Sequence, residues 1–535
     1  MIYRIALALT IVLSLAGSAA AQNAAREPHV LTYADGQAFK SLNPHLDSAV
    51  SLGFLSQLTM AYLVRYDARN RPIPELVTAV PTEENHGISK DGKTITWHLR
   101  RGVKWSDGAP FDADDVVFST NAVLNPKNNE IGRDGWDLIT KIDEPDKYTV
   151  VFHLKKPYAA YLPTFFGSAG ANPCVLPKHI LGDLPDINEA PYNALPVGIG
   201  PFRYTRWSRA DRVEMEANPN YWRGLPKLKR IIYKQIPDSN TLLTQLTTGE
   251  IDLWPLAGTS FYDRLKALKD RTTIVQPSFL YAHIDFNVSR PILADVRVRQ
   301  ALRFALDRDT IIQKVFHDIP TAQESPISPV SPAYHAFPRV PHDTAKANAL
   351  LDAAGWKQRG PDGIRMKSGR KLSLEYAIYT GVPAADTMIE LIREMWKQIG
   401  VDIQVRHYET SLFFATVPEG GIVYGGKFDV TSFAWLSDVI GDISAQYSCP
   451  FIPPNGQDIP RWCDKRFDDD LKRFKLLYSF EKRQPLINDA VARLIDQVPV
   501  IVVYSGKNIY SYKPELTGFH PNGQTPFDDF MNVDI

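Results

Sequence analysis

Residues 372–405 carry the pattern that most restricts the fold of this chain. Residues 372–378 alternate like a strand, residues 385–399 have the 3.6-residue period of an amphipathic helix, and Gly400 stands where a glycine commonly ends one. Residues 401–405 then alternate again. This order predicts a β-α-β unit, which requires parallel strands and a helix packed on the sheet.

The same signals recur along the chain. Residues 94–99 and 148–154 alternate between turn-forming segments and are interpreted as strands. A helix is predicted after Asp295, which is suited to cap its first turn, and another over residues 344–354, ending before Gly355. The chain is therefore expected to be of the mixed α/β class. Arg297 and Arg299, on the helix after Asp295, are expected at the surface or between lobes.

Length and charge narrow the architecture and the function. A chain of 535 residues is too long for one compact core, so two or more lobes are expected. No internal repeat is visible, which disfavours solenoids and propellers. The 60 Lys and Arg residues balance the 60 Asp and Glu residues, whereas nucleic-acid binders usually carry a basic excess. We therefore expect no nucleic-acid partner.

The first residues have the three parts of a secretory signal peptide. Arg4 precedes an apolar run over residues 5–15, and small residues lead to Ala19-Ala20-Ala21 before Gln22. The apolar run is too short to span a bilayer, although a membrane anchor is the alternative interpretation. No cysteine stands near the cleavage site, so no lipid attachment is expected there. The mature protein is predicted to be exported to the periplasm.

The three cysteines fit an oxidising compartment. Cys449 and Cys463 flank a loop rich in proline, asparagine and glycine, and a bridge between them would close a short ring. Two reduced core cysteines are the alternative. Cys174 would remain unpaired, and no histidine has the spacing of a zinc ligand. We expect no metal and no cofactor.

Five sequence blocks, in a fixed order, resemble one protein family. They are LRRGVKWSDGAPFDADDVVFS at residues 99–119, GIGPFR at 198–203, ANPNYWRG at 217–224, GEIDL at 249–253 and DVRVRQAL at 295–302. Together they resemble the extracytoplasmic solute-binding proteins of peptide and nickel ABC transporters, over nearly the whole mature chain.

This resemblance implies a two-lobed periplasmic-binding-protein fold of type II, of the large class with an extra subdomain in the first lobe. Two chain crossings, near Phe286 and near Tyr504, would act as the hinge. The expected division is a signal peptide at 1–21, lobe I at 22–286 including the subdomain, lobe II at 287–504, and a return to lobe I at 505–535.

The implied function is capture of a peptide-like ligand between the lobes and its delivery to an ABC permease in the inner membrane, by a monomeric protein that is not an enzyme. An oligosaccharide, an opine or another amino conjugate is the alternative ligand. A chemoreceptor partner or a chaperone role also stays open. A secreted hydrolase is a different class, but the sequence contains no H-E-x-x-H or G-x-S-x-G motif.

The ligand-contacting residues are also implied by the resemblance. In peptide-binding members a Trp-x-x-Asp element ends a strand of the second lobe, and its Asp pairs with the ligand's ammonium group. Trp435 and Asp438 occupy these positions, and Phe433 lies in the same segment. The alternatives are that Asp438 caps a loop and that Trp435 belongs to the core. The family's Gly-Asp-Pro after this element is Gly-Asp-Ile at residues 441–443.

Two further segments contain candidate ligand contacts. Dipeptide-binding members present an Arg after the strand that here ends near Tyr379, and no Arg lies between Arg370 and Arg393, so Tyr379 is the candidate contact there. In lobe I, Asp35 and Gln37 follow a strand where family members often line the cleft, with a plain turn as the alternative. The resemblance also implies a disulfide at the places of Cys449 and Cys463.

Overall fold

The computed structural model describes residues 27–168 and 173–535. The signal peptide predicted at residues 1–21 lies outside this part. The strands are β1 (Val30–Asp35), β2 (Val64–Tyr66), β3 (Pro72–Pro74), β4 (Thr94–His98), β5 (Ile139–Asp146), β6 (Thr149–Leu154), β7 (Phe202–Ser208), β8 (Arg212–Ala217), β9 (Arg230–Gln235), β10 (Leu253–Trp254), β11 (Thr272–Phe286), β12 (Gln358–Arg359), β13 (Arg365–Lys367), β14 (Arg370–Lys371), β15 (Ser373–Tyr379), β16 (Asp402–Tyr408), β17 (Val430–Leu436) and β18 (Val500–Tyr512).

The α-helices connect these strands or lie between them. They are α1 (Val50–Thr59), α2 (Ala113–Leu124), α3 (Tyr161–Thr164), α4 (Lys178–Leu181), α5 (Ser239–Thr248), α6 (Tyr262–Lys266), α7 (Val296–Phe304), α8 (Arg308–Phe316), α9 (Thr344–Ala353), α10 (Pro383–Gln398), α11 (Thr410–Phe413), α12 (Ser444–Tyr447), α13 (Lys465–Phe474) and α14 (Phe480–Gln497). Within the described part of the chain, none of the helices combines the length and the apolarity that crossing a bilayer requires.

Two long antiparallel strands join the halves of the molecule. The main sheet has the order β16-β15-β17-β11-β18-β10-β1-β9-β8-β7, with β11 and β18 in its middle. One end of this pair, at Thr272 and Tyr512, adjoins β10, while the other end, at Phe286, pairs with β17. Phe286 and Tyr504, near which the crossings are predicted, lie on these two strands, Phe286 at the end that pairs with β17.

Each half has its own hydrophobic core, as the chain length requires. In lobe I, side chains of β1, α1 and β7–β9 pack with the C-terminal segment, for example Leu31, Leu55 and Phe527. In lobe II, side chains of β11, α7, α10 and β15–β16 form a second cluster around Trp396. The α/β two-lobed fold predicted from the sequence is confirmed.

A smaller unit with its own core extends lobe I. Its sheet has the order β4-β6-β5, and α2 packs against it with Trp97, Val116 and Phe152 in the core. Helix α2 begins with a capping box, in which the side chains of Asp112 and Asp115 each accept a hydrogen bond from the other's backbone amide. We call this unit the extra subdomain.

The β-α-β unit predicted from residues 372–405 is present. Strands β15 and β16 pair in parallel, from Ser373 opposite Asp402 to Tyr379 opposite Tyr408, and α10 connects them. Pro383 opens α10 two residues before the predicted start, because proline tolerates the first helical position. The predicted cap of α7 is also present, since the Asp295 carboxylate accepts from the amide of Arg297.

The expectation that Arg299 lies at the surface or between lobes is wrong. Its guanidinium is buried and donates to the carbonyl oxygens of Gln497 and Val498, at the end of α14, and of Leu293. Helix-terminal carbonyls have no partner inside their own helix, so a buried Arg can satisfy them. Burial lowers the pKa of Arg299 to about 10.

Candidate functional site between the two lobes

Strand direction brings the predicted contact residues to facing edges. Strand β11 runs from the β10 side of the sheet to the β17 side. Strands β10 and β1 run in the same sense as β11, so their carboxyl ends point toward lobe II, whereas β17 and β15 run in the opposite sense and end toward lobe I. The residues that follow these ends are Asp35 and Gln37 in lobe I and Tyr379, Trp435 and Asp438 in lobe II.

Asp438 lies just beyond β17 and holds its own loop in place. Its Oδ1 accepts hydrogen bonds from the backbone amides of Ile440 at 2.8 Å and of Asp442 at 3.2 Å. Both bonds fall on Oδ1, which leaves Oδ2 without a hydrogen bond from the residues that the structure describes. Burial, and then the charge of Asp442, raise the pKa of Asp438 to about 6.

Two tyrosines of lobe I lie near this carboxylate. Burial, and then the charge of Asp438, raise the pKa of Tyr66 well above its usual value, and burial raises that of Tyr158 to about 12, with Asp438 adding to it. Tyr66 is buried, and its hydroxyl has no hydrogen-bond partner within residues 27–168 and 173–535. A phenol and a carboxylate from opposite lobes thus approach the same space.

Other contacts close the lobes around this space. The side-chain amide of Asn70, in the turn after β2, donates to the carbonyl of Val330 at 3.1 Å. Ser331 in turn donates to the carbonyl of Val439, beside Asp438, at 2.8 Å. From α14, the buried Arg483 approaches the carbonyl of Ala159 at 3.5 Å. The structure is therefore a closed form of the molecule.

Aromatic rings cover the lobe II edge between β15 and β17. Phe433 and Trp435 have ring centroids 5.2 Å apart, Phe414 lies 5.6 Å from Phe433, and Tyr379 lies 5.4 Å from Phe414. Phe433 is buried, whereas Tyr379 and Trp435 are partly exposed. His283, on β11, stacks on Trp435 with the planes 6° apart. This edge offers flat apolar surfaces beside the carboxylate of Asp438.

On the lobe I edge, Asp35 and Gln37 order the start of α1. The Asp35 Oδ1 accepts from the amide of Gln37 at 3.0 Å, from the hydroxyl of Ser51 at 2.6 Å and from the hydroxyl of Tyr233 at 2.9 Å. The Gln37 side chain accepts from the amide of Ser51 at 3.3 Å. Burial raises the pKa of Asp35. The turn that the sequence offered as the alternative is present, and its residues also line a cavity.

The cysteine pairing is as predicted. Cys449 and Cys463 form a disulfide, and Cys174 is buried and unpaired. The backbone carbonyl of Cys174 accepts a hydrogen bond from Nε2 of the buried His45 at 2.8 Å. In the described parts of the chain, no three side chains of the kinds that bind metals come together as a candidate metal site.

Sequence reasoning missed Tyr66, Tyr158 and Arg483. Each lies in a different segment, on β2, before α3 and in α14, and none is part of a recognisable motif. The two tyrosines come near Asp438 only because the extra subdomain lies against lobe II, whereas Arg483 approaches it within lobe II, from α14. No local pattern could have identified them.

A comparison with family models assigns the chain. Residues 71–451, more than half of the sequence, match the model described as bacterial extracellular solute-binding proteins, family 5 Middle. The chain belongs to this family. The matched region of this solute-binding protein includes Tyr379, Trp435 and Asp438, whereas Asp35 and Gln37 lie before it.

Curated relatives agree with this assignment. The solute-binding protein is 26% identical to the dipeptide-binding protein of Escherichia coli over 83% of this chain and 84% of the relative, and 27% identical to the glutathione-binding protein GsiB of Pectobacterium atrosepticum over 84% and 85%. It is 30% identical to the oligopeptide-binding protein AppA of Bacillus subtilis, over 62% of this chain and only 60% of AppA.

Solved structures share the fold. The structure of AppA from Bacillus subtilis in complex with a nonapeptide superposes with a TM-score of 0.74 at 22% identity, covering 95% of this solute-binding protein and 99% of AppA. NikZ from Campylobacter jejuni in complex with Ni(L-His) gives a TM-score of 0.76 at 25% identity, covering 95% and 100%. Because their ligands differ, the fold by itself does not specify what this protein binds.

Proposed function

We propose that this solute-binding protein works in the periplasm, after removal of its signal peptide, as the binding component of an ABC importer. It captures a peptide-like ligand between the lobes and delivers it to the inner-membrane permease. It acts as a monomer, without nucleic acid and without catalysing a reaction. The names of the dipeptide-binding and glutathione-binding relatives support a peptide-like ligand.

The observation that carries the proposal is the position of Asp438. Its carboxylate stands on the lobe II edge, with Oδ1 held by two amides and Oδ2 available, opposite Tyr66 and Tyr158. An ammonium group taken out of water costs several kcal/mol unless a carboxylate meets it. A charge-assisted hydrogen bond from the ligand's amino end to Oδ2 supplies that partner and fixes the ligand's orientation.

Closure about the two long strands lets a permease distinguish the ligand-bound protein from the free protein. The pairing of β11 with β18 is irregular between Pro277 and Tyr281, in the middle of both strands, and we place the hinge there. A ligand favours the closed form by the difference in its affinity for the closed and open forms. The proposed division remains lobe I at 22–286, lobe II at 287–504 and a return to lobe I at 505–535; with the hinge at this irregularity, the end of β11, including Ile284 and Phe286, packs in the lobe II core.

A ligand with a ring, such as an opine or a sugar conjugate, is the second candidate. Tyr379 takes the place where dipeptide-binding members are expected to present an Arg, and with Phe414 and Trp435 it forms a partly exposed aromatic surface. Aromatic faces bind the apolar faces of rings as readily as they bind peptide side chains. Phe433 supports this surface from below.

Peptide mixtures test the proposal directly. Native mass spectrometry of the mature protein with an equimolar mixture of synthetic peptides of two to six residues should reveal bound peptides, and the same mixture acetylated at the amino end should bind weakly. Calorimetry with the tightest peptide should show that Asp438→Asn weakens binding about tenfold or more. Asp469→Asn, an exposed carboxylate on α13, is the matched control.

Equal binding of both mixtures, or an unchanged affinity in Asp438→Asn, would contradict the assignment of Asp438. Binding of opines or sugar conjugates, with no peptide retained, would favour the second candidate.

A further inference from the structure

A small cavity lies at the carboxyl ends of β1 and β10, on the lobe I edge that faces lobe II. Its volume is about 130 Å³. Its apolar walls are the side chains of Val50, Phe54, Leu242, Trp254, Pro255 and Leu256. Ile319, from the lobe II segment after α8, packs in the same hydrophobic cluster as Trp254 and Leu242. The cavity of lobe I therefore adjoins a cluster to which both lobes contribute.

Two of the apolar side chains that line this cavity are exposed. Val50 is 42% exposed and Leu256 is 36% exposed. Leu256 also has a φ of 54°, a conformation that residues other than glycine rarely adopt. Backbone strain of this kind concentrates at binding sites, where the surrounding structure enforces it. Here it holds a leucine against the cavity.

The polar wall of the cavity is acidic. Asp35 lines it with a buried carboxylate whose Oδ1 accepts three hydrogen bonds, while Oδ2 receives none from the described residues. The amide of Ser51, in the first turn of α1, is satisfied by Gln37, and the amide of Thr241 in α5 by Asp238. An acidic group entering here would meet the Asp35 carboxylate at close range.

We propose that this cavity receives one apolar side chain, of leucine or methionine size, from the ligand whose amino end Asp438 binds, and that Asp35 excludes acidic side chains from it. This inference rests on the proposed function. An apolar cavity of about 150 Å³ holds a benzene molecule, so the volume suits a single side chain. Neither Asp438 nor the aromatic rings of lobe II line this cavity.

The order of strands in the sheet indicates which residue of a bound peptide would place its side chain in the cavity. Strands β11, β18 and β10 lie between β17 and β1. At about 4.8 Å per strand, β17 and β1 are about 19 Å apart across the sheet, whereas an extended peptide rises about 3.4 Å per residue. A dipeptide is too short to reach both sites, so the apolar side chain is expected after the third position of a longer peptide.

A leucine scan tests the inference. The probes are alanine hexapeptides with a free amino end and a single leucine at each successive position, measured by calorimetry against hexa-alanine. One position beyond the third should bind about tenfold tighter than hexa-alanine, because burying a leucine side chain is worth that much. Glutamate at that position should bind more weakly than alanine, and Asp35→Asn should reduce this penalty.

Leu256→Gly is the decisive variant, because glycine adopts the φ of 54° without strain. It should abolish the leucine preference, whereas Leu225→Ala, a 67% exposed leucine between β8 and β9, should keep it. No leucine preference at any position, or a preference that survives Leu256→Gly, overturns the cavity assignment. If Asp438→Asn still weakens binding in that case, the proposed function stands. If no hexapeptide binds the wild type while shorter peptides do, the cavity assignment falls and the proposed function stands; if no peptide of any length binds, both proposals fall.

Discussion

The hydroxyl of Tyr478 donates a hydrogen bond to the carbonyl oxygen of Gly92 at 2.8 Å, from lobe II to the extra subdomain. The same hydroxyl accepts from the amide of Tyr158 at 3.1 Å, and the amide of Ala159 donates to the carbonyl of Lys475 at 3.0 Å. The segment between α13 and α14, residues 475–479, thus bonds to the other lobe directly. These bonds stabilise the closed form without any atom of a ligand.

Tyr478→Phe should weaken ligand binding although residue 478 is not among the proposed ligand contacts. The substitution removes the hydroxyl that donates one interlobe hydrogen bond and accepts another. The closed form therefore loses stability relative to the open form. We expect the dissociation constant of the tightest-binding peptide to rise about two- to tenfold, measured by calorimetry. Tyr148→Phe, on the extra subdomain, is the control. Equal affinities for all three proteins would show that the bonds do not contribute to closure.

Peptide affinity should fall in acid because of Asp438. Its pKa is raised to about 6, chiefly by burial, so below that pH the carboxyl is increasingly protonated and loses its attraction for an ammonium group. Each pH unit below about 6 should cost about tenfold in affinity, while the ligand's amino group stays charged throughout. Calorimetry between pH 4.5 and 7 measures this slope. A slope that persists in Asp438→Asn would mean that another group titrates.

Asp458 should make the protein less stable at alkaline pH. It is fully buried, and burial, with the nearby charge of Asp285, raises its pKa to about 8. Because the pKa in the unfolded chain is about 3.9, the folded state binds the extra proton, and stability is lost as the pH rises from about 4 to 8. Asp458→Asn should reduce the decrease in Tm between pH 5 and 8.5. The control Asp469→Asn should show the same decrease in Tm as the wild type. If the Tm of Asp458→Asn also decreases as much as that of the wild type over this pH range, the assignment is refuted.

Removing the disulfide should destabilise lobe II without changing its ligand contacts. The bond between Cys449 and Cys463 spans a sequence separation of 14. Closing a ring of this size is worth about 3 kcal/mol through the entropy of the unfolded chain. We expect the double variant Cys449→Ser with Cys463→Ser to lose about that much in denaturant unfolding. A loss well below 1 kcal/mol would show that the ring is already ordered in the unfolded state.

Local sequence patterns predicted the elements but not all of their neighbours. The alternation and the glycine at position 400 identified the β15-α10-β16 unit, because these signals depend only on residues close in the chain. The same reasoning failed for Arg299, whose charge suggested exposure. Its partners are the carbonyls of Gln497 and Val498, nearly two hundred residues away, and helix periodicity contains no information about them.

The sequence by itself determined the α/β class and the family, since strand and helix periodicity and the order of the motif blocks survive without coordinates. The family resemblance implied the pairing of Cys449 with Cys463, which the structure confirmed. Only the tertiary structure decided what faces Asp438. Tyr66 and Tyr158 come near it because two antiparallel strands join the lobes and let the extra subdomain close on lobe II, whereas Arg483 comes near it because α14 packs within lobe II. That closure sums many weak contacts between segments far apart in the chain, and no short pattern encodes such a sum.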